Sequence, residues 1–189
     1  IVRNNLIADN NSAGIFYEVS YGLQLYDNVI IGNGFNMGNR SRAAGISISS
    51  SPDAIVERNL ILNNKHGIAF WPQVDRSEWI HDITLRNNII AYNQNYQLGG
   101  YFGDKRYWPE SVVGNTSNIT LEDIGFVFKN NIFDMNNGQS LYIWSGSGQS
   151  QVYENVNGIQ EELNLEHGSK ITSLEFVNEN SLDLRLSSD

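Results

Sequence analysis

Cysteine is absent from this chain, which excludes a disulfide framework and any thiolate metal site. Cations are scarce: 12 Lys and Arg stand against 21 Asp and Glu, for a net charge of −9 and a pI near 4.7. Such a surface repels phosphate backbones and anionic lipids, so neither nucleic acid nor membrane is expected as a partner. No stretch reaches ~18 consecutive apolar residues, so no segment reads as a spanning helix. Of the three histidines, His81 and His167 have no partner at metal-ligand spacing, and His66, at a bend before Gly67, reads as structural. Neither a Gly-rich phosphate loop nor a Ser-His-Asp order is present. An initiator Met is also missing. The chain opens Ile1-Val2-Arg3-Asn4-Asn5 without a signal peptide, in the middle of a structural unit. That start predicts further coils upstream and an uncapped N-terminal coil, whose edge could associate with another strand.

What the chain has in excess is asparagine, 26 of its 189 residues, so internal repeats are sought first. Anchoring on Asn5, Asn28, Asn59, Asn88 and Asn131 aligns a second Asn five residues later: Asn10, Asn33, Asn64, Asn93 and Asn136. Two residues after each anchor stands Ile7, Ile30, Ile61, Ile90 or Phe133. Three before it stands Val2, Leu25, Val56, Leu85 or Phe128. Apolar alternation of period two precedes every anchor, which predicts strands rather than helices. The anchors lie 23, 31, 29 and 43 residues apart. The shortest spacing fits one coil of a parallel β-helix, and the longer ones add loops. Asn suits such an anchor because it tolerates left-handed backbone, and because stacked amides can bond one another in a ladder. The sequons at Asn10, Asn39, Asn115 and Asn118 are expected by chance in so Asn-rich a chain.

The expected fold is all-β, a single-stranded right-handed parallel β-helix. It comprises about five recognisable coils with loop insertions over 1–150, and irregular, degenerate terminal coils of the same domain over 151–189. Four excursions interrupt the coils, at 34–44, 72–82, 103–118 and 145–151. Loops on a rigid stack are where function tends to lie.

One strand carries a residue that a plain β-helix does not need. In GIFYEVSY (14–21), Glu18 interrupts an apolar run. Aligning Gly14-Ile15, Gly45-Ile46 and Gly67-Ile68 sends Ile15, Tyr17 and Val19 inward, then Ile46, Ile48 and Ser50, then Ile68, Phe70 and Pro72. The outward columns become Phe16, Ser47, Ala69; Glu18, Ser49, Trp71; and Ser20, Ser51, Gln73. A column of carboxylate, small residue and aromatic leaves room for a ligand. Trp71 would stand roughly 10 Å from Glu18, about two sugar units, with its indole suited to the apolar face of a sugar.

The runs AGIFYEVSYGLQLYDNVIIGN (13–33), AAGISISSSPDAIVERNLILNN (43–64) and HGIAFWPQ (66–73), with the closing FVNENSLDLRL (176–186), resemble bacterial right-handed parallel β-helix proteins of the pectate-lyase-like superfamily, in their C-terminal part. The resemblance implies an extracellular or periplasmic protein acting on polysaccharide or oligosaccharide. It is specific for fold and much less so for reaction. In β-helix glycosidases of the bacterial xylosidase type, a GI-x-x-E strand follows a coil with Asp in the matching column, and Glu18 matches that Glu. The resemblance thus implies a glycoside hydrolase with Glu18 catalytic, its partner Asp lying before Ile1. Phe16, Ser49, Trp71, Gln73, Trp79 and Trp108 are the candidate substrate-binding residues. The alternatives are a non-catalytic polysaccharide-binding, adhesin or structural module, and a polysaccharide lyase. Only the lyase would call for a cofactor, Ca²⁺, and no column gathers the Asp and Glu residues to hold it.

Overall fold

The computed structural model describes residues 1–38, 40, 42–73, 79–100, 120–136, 138–146, 149–178 and 183–187. Strands are numbered in chain order. The first sheet contains β1 (Val2–Arg3), β4 (Leu23–Tyr26), β7 (Ala54–Glu57), β10 (Ile83–Arg86) and β13 (Val127–Lys129). The second contains β2 (Leu6–Ala8), β5 (Val29–Ile31), β8 (Leu60–Leu62), β11 (Ile89–Ala91), β14 (Ile132–Asp134) and finally β17 (Lys170–Ile171). The third runs β3 (Ile15–Glu18), β6 (Ala44–Ser49), β9 (His66–Trp71), β12 (Tyr96–Gly100), β15 (Ser140–Gly146) and β16 (Gln149–Tyr153). From β1 to β15 the chain visits the three sheets in turn, and every strand pairs in parallel with its counterpart one coil away. This is a parallel β-helix, the architecture expected from the repeat.

The asparagines sit inside the corners and bond from coil to coil. The backbone N–H and side-chain amide of Asn28 both donate to Asn59 Oδ1, at 3.1 and 2.9 Å. Asn59 repeats the pattern on Asn88, and Asn88 on Asn131. A second ladder links Asn10, Asn33, Asn64 and Asn93. Each interior amide also donates to backbone carbonyls, as Asn59 does to Leu25 and Glu57. The ladder expected from sequence is present, but the backbone reason offered for it needs correction. The left-handed residues are those just before the anchors: Asn4, Asp27, Arg58, Asn87 and Asn130, with φ between 53° and 58°. Before the second row come Asp9, Gly32, Asn63 and Tyr92. The anchors are therefore Asn for their amides, and the strained bend falls one residue earlier. The second ladder also departs from its expected end, because Asn93 hands over to Gln97 Oε1 and Asn136 is exposed.

The glycines of the Gly-Ile motif back onto these ladders. A Cβ on Gly45 would lie 2.8 Å from Asn64 Nδ2, and one on Gly67 would lie 2.2 Å from the Gln97 carbonyl. Inward from the corners, Leu25, Val56, Leu85 and Phe128 of the first sheet meet Ile30, Ile61, Ile90 and Phe133 of the second and Ile48, Ile68 and Phe70 of the third in one buried core. The second sheet is apolar on its outer face as well. Ile31, Leu62 and Ala91 there form a separate cluster with Leu174, and Phe176 and Leu184 pack against it. Phe176 and Leu184 belong to the antiparallel pair β18 (Phe176–Asn178) and β19 (Asp183–Leu186). Asp134 fastens this cover, accepting from the Leu174 N–H at 2.6 Å.

In the described residues beyond 150, where degenerate coils are expected, a helix and antiparallel pairing stand beside a short parallel continuation of the stack. β16 extends the third sheet antiparallel to β15, the helix α1 (Val156–Leu163) follows, and then His167 bridges Lys129 and β17 pairs with β14, both in parallel, as a short remnant of a coil. The helix begins on Asn155, whose side chain accepts from the Gly158 N–H. Beyond the helix, Glu166 ends the first ladder. Its buried carboxylate accepts from the Asn131 amide, the Ser169 hydroxyl and the Tyr142 hydroxyl. Burial pushes the Glu166 carboxyl above the usual carboxylate range, and these three hydrogen bonds only partly oppose it.

Asn59→Ala strands the Asn28 N–H and two carbonyls inside the stack, so it should cost about 3 kcal/mol or more in chemical denaturation. The exposed Asn5→Ala should cost about 1 kcal/mol or less. For Glu166, the folded chain holds the proton more tightly than the unfolded chain. Its contribution is therefore fully present below the unfolded carboxyl pKa and is lost as pH rises through the raised folded value. Denaturation curves across that window should show stability falling with pH, and the slope should lessen in Glu166→Gln.

Candidate functional site

The outer face of the third sheet carries the candidate site. Register places Phe16 beside Ser47 and Ala69, and Glu18 beside Ser49 and Trp71, as the alignment of the Gly-Ile motifs predicts. Beyond these two columns the alternation fails. Val19 takes a left-handed φ of 46° and is 38% exposed rather than inward, and Ser50 bends likewise at 43°. Each strand ends here because the chain turns the third corner. Ser51, expected in an outward column, is fully buried instead and acts as that corner's counterpart of the ladder Asn. Its hydroxyl donates to the Ser49 carbonyl at 2.8 Å and accepts from the Ser20 N–H at 3.1 Å.

Gln73 is not in that column either. It turns back across the two preceding coils. Its backbone N–H donates to Ser50 Oγ at 2.8 Å. Its side-chain amide donates to Ser49 Oγ at 2.8 Å and to Glu18 Oε1 at 2.5 Å. The space expected above Ser49 for a ligand is therefore taken by the Gln73 amide, and Ser49 is buried. What remains accessible is the partly exposed Glu18, with Phe16 at 40% and Trp71 at 37% exposure. The Arg42 guanidinium lies over the Phe16 ring, 5.1 Å from its centroid, and places a cation beside the Glu18 strand. Strand spacing sets Trp71 roughly 10 Å from Glu18, two coils along the stack.

The other sequence candidates divide. Trp79 does not join this column. Half-buried, it packs against the apolar core, and its ring lies tilted against that of His81 with the centroids 4.5 Å apart. Trp108, with the whole 103–118 excursion, lies outside the described residues. His66 opens β9 and is buried, its ring parallel to Tyr96 at 4.3 Å. Burial first, and then the charge of Lys65, lower its pKa to about 4, so it is a neutral ring at ordinary pH. His81 pairs with Asp82 and His167 with Asn164. Among the described residues no three His, Asp or Glu side chains gather into a metal site.

Sequence reasoning missed the Gln73 contacts. The available signal was Pro72, which locks φ and ends the strand, so that the residue after it leaves the alternation. Chemically, the cluster offers one carboxylate with one oxygen held by an amide, the Phe16 ring on the same strand, the Trp71 ring two coils along the stack, and a nearby guanidinium. Such an arrangement can accept hydrogen bonds from hydroxyl groups and stack on flat apolar faces.

Comparison with curated proteins gives no match, and neither does comparison with solved structures. A family model does match, described as a right handed beta helix region, and it spans residues 1–157, which takes in β1 to β16 and the whole outer face just described. The chain thus belongs to the right-handed β-helix family.

Proposed function

We propose that this protein is carbohydrate-active and holds a polysaccharide along the outer face of its third sheet, as part of a glycoside hydrolase in which Glu18 is one of the two carboxylates. The observation that carries this reading is the Glu18–Trp71 column: a partly exposed carboxylate and an exposed indole, two coils apart, on one rigid face. Sugar rings stacked on Trp71 would extend toward Glu18 with hydroxyl or glycosidic oxygens at the carboxylate. Hydrolysis with retention needs a second carboxyl group about 5 Å away, and the adjacent coil preceding β3 in the Glu18 column is where it would stand. An exported location belongs to the same reading.

A second reading has its own observation. The Gln73 amide holds Glu18 Oε1 and fixes the carboxylate as a hydrogen-bond acceptor on the sheet face. This favours a non-catalytic module that binds polysaccharide on the same face.

The test uses the natural gene product, with any upstream coils, and its Glu18→Gln variant. Both are incubated with plant, algal and bacterial polysaccharides while reducing ends and ultraviolet absorbance are recorded. Reducing ends without new absorbance, falling about 10²–10⁴-fold in the variant, are the expected result. Absorbance from an unsaturated product would replace hydrolysis by a lyase. Binding without any product would support the second reading, and neither binding nor product would refute both.

A further inference from the structure

We infer that Gln73 is a positioning residue for Glu18, and that the pair presents Glu18 Oε2 as the acceptor for a sugar hydroxyl next to the Trp71 ring. The inference rests on the polysaccharide reading above and adds which atom meets the ligand and what aims it.

The argument begins with the amide. A glutamine side chain has two N–H donors and one carbonyl acceptor. Gln73 Nε2 lies 2.5 Å from Glu18 Oε1 and 2.8 Å from Ser49 Oγ, so one proton is directed to each. The reversed amide would set its carbonyl oxygen against a carboxylate, which is repulsive, so the orientation is determined by chemistry. The base of the residue is held as well. Its backbone N–H is bonded to Ser50 Oγ, and Pro72 before it restricts the chain direction. Gln73 thus joins three coils: its side chain reaches Glu18 on the first and Ser49 on the second, and its backbone N–H reaches Ser50 on the second from its own place on the third. Glu18 Oε1 is engaged by this clamp. Glu18 Oε2 has no partner among the described residues, although the residue is only partly exposed. A charge-assisted bond at one oxygen removes rotamer freedom from the carboxylate before a ligand arrives, which is the usual gain of preorganisation.

The competing explanation is that Gln73 only fills the groove above Ser49. A filler depends on volume, and a clamp depends on donors. Gln73→Met keeps the length and removes the donors. Gln73→Glu keeps the shape and sets two carboxyl groups at hydrogen-bond distance, where they must share a proton to hold together. The clamp in that variant would close in acid and open in base.

The experiment is calorimetric titration of the parent, Glu18→Gln, Trp71→Ala, Gln73→Met and Gln73→Glu. The probes are hexasaccharides of cellulose, xylan, mannan, polygalacturonate and alginate, at about pH 5 and about pH 8. Thermal unfolding of each variant accompanies the titrations. The expected result is that Gln73→Met binds about tenfold more weakly than the parent at both pH values. Gln73→Glu should approach the parent at the lower pH and weaken about tenfold more than the parent does at the higher. If Gln73→Met fails to fold, the pH contrast in Gln73→Glu decides alone. Parent-like binding by both Gln73 variants at both pH values, with loss in Glu18→Gln and Trp71→Ala, would overturn the positioning role and leave the polysaccharide face standing. A parent that binds none of the five probes would overturn that face and this inference together.

Discussion

The side-chain amide of asparagine, bonded to the same amide one coil away, is the interaction on which this molecule depends. Strand pairing alone would hold neighbouring coils together, but it leaves the corners with N–H and C=O groups turned inward, where no water reaches them. Asn28, Asn59, Asn64, Asn88 and Asn93 satisfy those groups, and each is buried to within 2% of full enclosure. An amide donates through its N–H groups and accepts through its carbonyl at once, so the pattern can propagate without an end of its own. It therefore has to be ended by something else, and here Glu166 and Ser169 close one ladder while Gln97 takes over the other.

That constraint reaches the candidate site. Ladders at two corners set the register of successive coils, and the third corner is held by Ser51 in the same manner. With register set at all three, Glu18, Ser49 and Trp71 must share a column, although 53 residues separate the first from the last. The site is thus a product of stacking and not of any local motif. Its one irregular member, Gln73, lies just past the strand end, where the chain is free to turn back.

Much of the fold was legible in the sequence because the ladder imposes one residue type at one spacing. The five anchors, the inward Ile and Leu rows and the columns through Phe16 and Glu18 all followed from aligning Asn with Asn and Gly-Ile with Gly-Ile. Three things were not legible, each for a physical reason. The left-handed bend falls on Arg58 and Tyr92 as readily as on Asn, so composition does not mark it. The outer apolar face of the second sheet hides in three-residue runs such as Leu60-Ile61-Leu62, too short to separate inward from outward. The Gln73 clamp depends on a side chain reaching across two coils after a proline, which no periodicity describes. At the site, the carboxylate and Trp71 were legible, the filling of the space above Ser49 was not, and Trp79 packs half-buried against the core instead of joining the column.

Hydrogen–deuterium exchange, resolved at the backbone amides of Asn28, Asn33, Asn59, Asn64 and Asn88, tests the central claim most directly. These N–H groups donate to side-chain oxygens rather than to backbone carbonyls. If the ladders hold the stack, they should exchange as slowly as the strand amides of β7 and β8 between them. Exchange as fast as that of the exposed turn at 35–36 would contradict the account, because the corners would then be open while the strands remained paired.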